Sequence, residues 1–286
     1  MEFISLLQYS APVALAAIGE VLVQKSGVIN IGLEGSMLVA SFFGMLACYS
    51  THNPWLGLGA AIIAALVMTL IYAFFVLYLA ADQVVVGTAT NLLALGVTGS
   101  LFRSTFGNSS QLLSVPRIPA IHGIDPIMIV MILSVPVVWF ALRRTGWGLA
   151  VRACGEYPKA SDASGFSVNR LRLQSLLLGG LFAGLAGAYL SLVIAGSFAE
   201  NMTAGRGFMA IAMVTFGRWK PVYVFLAALL IGYAVSLQFK FQTYGWNVPY
   251  QLMIALPYIV ALLVLVLVGK GASSPGALAQ PYRKDK

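Results

Sequence analysis

The chain has 286 residues, of which 59% are hydrophobic and only 9% charged, whereas a soluble domain carries about 25% charged residues. A mean hydropathy of +0.88 and apolar runs of spanning length from end to end make it an integral membrane protein, with no stretch left for a sizeable soluble domain. The net charge of +8 sits mainly in loops between those runs, where basic residues set orientation, so it does not indicate nucleic-acid binding.

The first run, "MEFISLLQYSAPVALAAIGEVLV", lacks a basic n-region and a small-residue cleavage site, so it is expected to remain as a helix. Apolar runs follow one another at about 4–24, 30–50, 55–81, 84–102, 125–142, 173–197, 207–217, 221–239 and 250–269. The expectation is an all-α polytopic membrane protein of about nine segments. The membrane domain covers 1–269 and a basic tail 270–286. With the loop after Arg143 in the cytoplasm, Lys25, Arg143, Arg144, Arg152, Lys159, Arg170, Arg172, Arg218, Lys220, Lys270, Arg283, Lys284 and Lys286 fall inside. Arg103, Arg117, Arg206 and Lys240 fall outside, and this asymmetry predicts an outer N-terminus and an inner C-terminus.

The second run carries the first anomaly. In "SGVINIGLEGSMLVASFFGM" the carboxylate of Glu34 lies between Gly32 and Gly35, shortly after Asn30. Glu20, Asn91 and Gln238 are likewise polar groups inside or at the edge of apolar runs. Such groups cost a few kcal/mol in hydrocarbon, so they are expected to face a cavity or a partner. Two readings of Glu34 stand: a pathway residue that accepts hydrogen bonds from a hydroxyl-rich solute or a gating partner, or a packing carboxylate satisfied by half-helix N–H groups or Lys25. Asn91 either lines the same cavity or bonds between helices.

Two loops are long. Residues 103–124 are polar and proline-bearing on the outer side. Residues 143–172 lie inside, with one short helix expected at "PKASDASG", Pro158 in its first turn and Gly165 at its end. Such a helix across the cytoplasmic mouth would be a docking element. Next, "GGLFAGLAGAYL" places Gly180 and Gly184 at the spacing that lets helices approach closely.

The seventh run, "GFMAIAMVTFG", is short: about 11 residues of helix reach only ~16 Å, so it must be a half-helix or a broken one. It and the opening of the second run are both glycine-interrupted and antiparallel in this topology, a pattern that points to two broken half-helix regions of an inverted repeat. Phe208 and Met209 in this piece could pack against a heterocycle, or simply fill the core.

Other chemistry finds little support. "GEVLVQKS" at Gly19 lacks the second glycine of a phosphate-binding loop and sits in an apolar helix, so any ATPase must be another chain. Cys48 and Cys154, on opposite sides, with His52 and His122 in outer loops, form neither a disulfide nor a metal site nor a protease constellation. The sequons at Asn108 and Asn201 matter only in a eukaryotic secretory host, and Trp55, Trp139, Trp147, Trp219 and Trp246 read as an interfacial belt.

Five stretches in order, "SGVINIGLEGSMLVASFF", "ADQVVVGTATNLLALGVTG", "RACGEYPKASDASGFSVNRLR", "GGLFAGLAGAYLSL" and "MTAGRGFMAIAMVTFGRWKP", resemble permease subunits of bacterial ABC importers of the ribose and simple-sugar class, most of all the nucleoside-uptake branch. The resemblance spans Lys25 to about Pro257. It implies a multi-pass protein of the bacterial cytoplasmic membrane that catalyses no reaction and binds no cofactor, with ATP and Mg2+ held by a cytoplasmic partner ATPase. A sister permease, an extracytoplasmic solute-binding protein and membrane lipid complete the implied partners.

Glu156, Tyr157, Pro158, Lys159, Ala160, Ser161, Asp162, Ala163, Ser164 and Gly165 resemble the family's coupling-helix region, although Tyr157 stands where the family often has Asn, and Ser161 and Ser164 where it has alanines. The implied solute is a nucleoside, with Asn30, Glu34, Asn91, Phe208 and Met209 as the expected pathway set. A pentose or hexose is the alternative, and a secondary transporter, which needs no coupling helix, the more distant one.

Overall fold

The computed structural model describes residues 2–107, 114–243, 250–268 and 273–283. These form helices α1 (Glu2–Lys25), α2 (Leu33–Thr51), α3 (Pro54–Ala73), α4 (Gln83–Phe106), α5 (Pro126–Arg144), α6 (Gly146–Glu156), α7 (Pro158–Ala163), α8 (Val168–Ala188), α9 (Arg206–Phe216), α10 (Pro221–Thr243) and α11 (Tyr250–Val268). Helices α3 and α8 each run on into a π-helical turn, at Phe74–Tyr78 and Tyr189–Ala195. Among the described residues seven helices, α1, α2, α3, α4, α5, α8 and α10, are long and apolar enough to cross a membrane, while α9, with 11 residues, is shorter. The sequon at Asn108, Trp246, and Lys270, Lys284 and Lys286 lie outside the described residues.

Local chemistry sets most helix starts. Asp82 accepts the amides of Val84 and Val85 at 2.9 and 3.0 Å to begin α4, Asn53 accepts Trp55 at 2.9 Å for α3, and Asp125 accepts Met128 at 2.8 Å for α5. Pro54, Pro126 and Pro158 occupy the first helical turn, where a missing N–H costs nothing. Asp125 is fully buried and its second oxygen accepts the Tyr189 hydroxyl at 2.8 Å, which ties α5 to the π-helical turn after α8.

Helix α1 forms the central post, with 83% of its spanning window buried, against 33% for α4, whose Val84, Val85, Leu92 and Leu93 point outward. Helices α8, α10, α9 and α5 pack on it, and α2 and α3 pack on each other and on α8. The glycine ladder of α8 serves packing, as its spacing suggested: a Cβ on Gly184 would stand 2.7 Å from the Cα of Ile62, so α8 and α3 meet nearly backbone to backbone.

Three expectations need correction. The 143–172 segment holds two helices, not one, because Gly148 does not break α6: it sits where a side chain would collide with the carbonyls of α5, and its amide is capped by Thr145 at 3.0 Å. Arg172 is not a loop residue but a fully buried member of α8; its Nε donates to Ser26 O at 3.2 Å and its Nη1 to Gln280 O at 3.1 Å. Trp219 is no interfacial residue either, since it is 5% exposed and its Nε1 donates to Gln24 Oε1 at 2.7 Å.

The C-terminal stretch 273–283 folds back on this end of the bundle. Ala277 N donates to Gly155 O at 2.9 Å, Ala279 N to Gly27 O at 3.2 Å and Gly276 N to Glu156 Oε2 at 2.9 Å. Arg172 thus stands between the loop after α1 and the returning chain.

Candidate functional site

Helices α2 and α9 begin differently from the others. Each starts at a glycine, Gly32 or Gly205, with no capping side chain of its own, although the first amides of a helix need acceptors. The acceptors come from across the bundle. Asn91 Oδ1 takes the amide of Gly35 at 2.8 Å, while Asn91 Nδ2 donates to Ile31 O at 2.9 Å. Glu34, in the first turn of α2, takes the amides of Gly205 at 2.8 Å and Gly207 at 2.6 Å.

One carboxylate therefore caps a helix that starts more than 170 residues later in the chain. The charge suits the place, because the N-terminal end of a helix carries partial positive charge and presents free N–H groups. Contact is close enough to need glycine: a Cβ on Gly207 would lie 2.6 Å from Glu34 Cα and 2.7 Å from Glu34 N. Both N-terminal ends meet at one buried point, Glu34 being 8% exposed.

The irregular chain between α1 and α2 is held by side chains from three helices. Glu20 Oε1 accepts Asn30 N at 3.0 Å and Gln24 Nε2 at 3.1 Å, Gln83 Oε1 accepts Ile29 N at 2.8 Å, and the Tyr72 hydroxyl donates to Ile29 O at 2.6 Å. Irregular backbone at membrane depth survives only where it is satisfied in this way. Through Gln24 the chain of bonds reaches Trp219, beyond the far end of α9. Of the residues that hold this segment, Glu20 was marked in the sequence by its polarity inside an apolar run, while Gln24, Tyr72 and Gln83 carried no comparable signal.

The structure brings Asn30, Glu34 and Asn91 together, but the polar atoms of Glu34 and Asn91 are engaged by backbone. Asn30 differs: both polar side-chain atoms are buried and have no hydrogen-bond partner among the described residues. Met209 is buried at 8%, whereas Phe208 projects outward with 48% exposure. Met209 also lines a cavity of about 110 Å3 between α9, α10 and α11, with Arg206, Gln238 and Tyr258. Ligand sites for drug-sized molecules run to ~300–1,000 Å3, so this cavity holds no such solute as it stands.

At the other end of the bundle, α7 follows α6 after a break at Tyr157 (φ −138°, ψ 83°), and Gly165 ends the turn at φ +87°. Ser161 is buried, while Glu156, Tyr157, Lys159, Ala160, Ala163, Ser164 and Gly165 are exposed and Pro158 and Asp162 half-buried. Cys154, on the buried face of α6, has its thiol pushed above the ordinary value by burial, with the Arg172 guanidinium acting in the opposite sense.

The described residues thus form a multi-pass helical membrane bundle in which the starts of α2 and α9 meet at one buried point, with a short exposed helix at one end. The chain belongs to the family described as branched-chain amino acid transport system / permease component, which matches residues 3–269. It is 34% identical to the guanosine ABC transporter permease protein NupQ of Bacillus subtilis, over 98% of this chain and 95% of that protein. It is 31% identical both to TsgC13 of Haloferax volcanii, named as a glucose ABC transporter permease (98% and 96% covered), and to the nucleoside ABC transporter permease NupC of Lactococcus lactis (99% and 96%). A solved structure described as an inward-facing conformation of a metal-chelate type ABC transporter shares the fold, with TM-score 0.52, 15% identity and coverage of 93% of this chain and 84% of that one.

Proposed function

We propose that this chain is one translocation subunit of an ATP-driven nucleoside importer. The observation that carries the reading is near-complete coverage, at 31 to 34% identity, by permeases named for guanosine and nucleosides. An uncharged solute rich in donors and acceptors also suits a membrane core with few fixed charges. A glucose permease at similar identity supports a sugar as the second reading.

The subunit pairs with a sister permease, draws on a cytoplasmic ATPase that holds ATP and Mg2+, and receives solute from an extracytoplasmic binding protein. It crosses the cytoplasmic membrane in nine segments, N-terminus outside and C-terminus inside, with 1–269 as the permease domain and 270–286 as its inner tail. The opposed starts of α2 and α9 are the broken halves of an inverted repeat, and Glu34 is their joint. In this reading Glu34 and Asn91 position the two half-helices, Met209 and the polar group of Asn30 border the pathway, and exposed Phe208 lines it at the sister interface. Residues Glu156 to Gly165 dock on the ATPase, and α7 passes its closure to α6 and α8.

The test is uptake and ATP hydrolysis by the complex purified with its co-encoded partners. Guanosine or another nucleoside is expected to stimulate hydrolysis and glucose or ribose not to; the converse selects the sugar reading. Pro158→Leu and Gly165→Val should abolish that stimulation while the chain still inserts, and uptake that persists without the ATPase would replace the whole scheme with secondary transport.

A further inference from the structure

We propose that the cavity between the ends of α5 and α10, at the same end of the bundle as α7, binds the phosphate of an anionic phospholipid. It measures about 510 Å3 and gathers Lys25, Arg143, Arg152, Arg218 and Lys220 from four separate stretches of chain. No carboxylate lines it among the described residues. Glu156, outside the lining, accepts the Gly276 amide at 2.9 Å and offsets part of the Lys25 charge, which leaves an excess of positive charge in the cavity. Like charges converging on one concave site repel one another, so an anion that enters is favoured both by attraction and by relief of that repulsion.

The backbone is shaped to bring the charges there. Arg218 and Trp219 are consecutive left-handed residues, at φ +50° and +54°, a conformation costly for any residue with a Cβ. The turn is fixed by Arg218 N to Thr215 O at 3.0 Å, Trp219 N to Val214 O at 3.0 Å and Lys220 N to Gly217 O at 2.9 Å. Trp219 goes into the core to Gln24, and the cationic neighbours on either side of it line the cavity.

Apolar surroundings select a lipid over a soluble anion. Trp139 and Tyr223 frame the cavity, with Arg143 over the first ring at 5.9 Å and Lys220 over the second at 5.3 Å. Beyond them α5 exposes Ile129, Ile132 and Phe140, and α10 exposes Val222, Leu226 and Leu230, surfaces on which acyl chains would lie while the phosphate sits among the cations. Basic pockets between membrane helices at the inner surface recognise such headgroups, and each basic group near an anionic surface adds affinity.

The purified complex is returned to phosphatidylcholine vesicles holding an equal mole fraction of brominated phosphatidylglycerol or brominated phosphatidylcholine. Quenching assigned to Trp139, by difference from Trp139→Phe, should show preference for the phosphatidylglycerol. In Arg143→Gln/Lys220→Gln that preference should fall about 30-fold, which corresponds to ~1 kcal/mol for each charge removed. Arg103→Gln, at the opposite end, should leave it unchanged, and an unaltered unfolding midpoint shows that the double variant is folded. Equal quenching by the two lipids overturns the proposal, and so does loss of quenching on adding inorganic phosphate, which would make the site one for a soluble anion.

Discussion

Glu34→Gln tests the contact between the starts of α2 and α9. The carboxylate accepts two amide hydrogens, at 2.8 and 2.6 Å, in a setting that is 8% exposed. Glutamine keeps one acceptor oxygen and turns an NH2 toward the other amide, so one bond survives and one becomes donor against donor. A bond to a charged group contributes about 1.5–3 kcal/mol, and the amide left unmet costs ~1–3 kcal/mol more. The start of α9 should therefore loosen by roughly 3 kcal/mol. Hydrogen exchange of a peptide spanning Gly205 and Gly207, measured by mass spectrometry on the assembled complex, reads this directly. Protection that reports local opening should fall by about 100-fold. Uptake should fall with it, while the complex stays assembled. Exchange and uptake both at wild-type values would show that α9 is held by its apolar packing alone, and the reasoning from the cap would fail.

Gly207→Ala adds a methyl group to a space already closed by the Glu34 backbone, and should lower stability by about 1–3 kcal/mol, seen as a lower unfolding midpoint. Asn91→Leu removes the acceptor for Gly35 N and the donor to Ile31 O, so exchange at the start of α2 should rise while α9 is less affected. Cys154 should react slowly with a thiol reagent at neutral pH: its raised pKa leaves little thiolate there, and labelling should quicken only as pH climbs toward that value or after denaturation. Rapid labelling of the native protein at neutral pH would contradict its burial. Arg172→Ala should free the 273–283 stretch, detected as its faster proteolysis, because it removes the guanidinium that bonds both Ser26 O and Gln280 O.

Much was legible in the sequence for simple reasons. Twenty or so apolar residues in a row can do little but cross a bilayer as helix, since no other element satisfies its own backbone there. Proline and glycine at 158 and 165 marked the ends of α7 because fixed φ suits a helix start and left-handed φ its stop. Helix α6 was not expected: its Gly148 serves close approach to α5, which depends on a neighbour that one-dimensional reading does not see. Arg172 and Trp219 misled likewise, since a charge or an indole near a segment end is ordinarily at the surface.

The sequence by itself determined that the chain is helical, spans a membrane and carries a carboxylate where hydrocarbon should be, because composition and periodicity are properties of residues taken singly or as neighbours. Only the tertiary structure decided what that carboxylate does. Its partners are two backbone amides that look like any others in the sequence, and they become acceptor-seeking only when α9 begins beside α2. Backbone groups have no letter in a sequence, so a cap reaching across the bundle could be read only once the helices were in place.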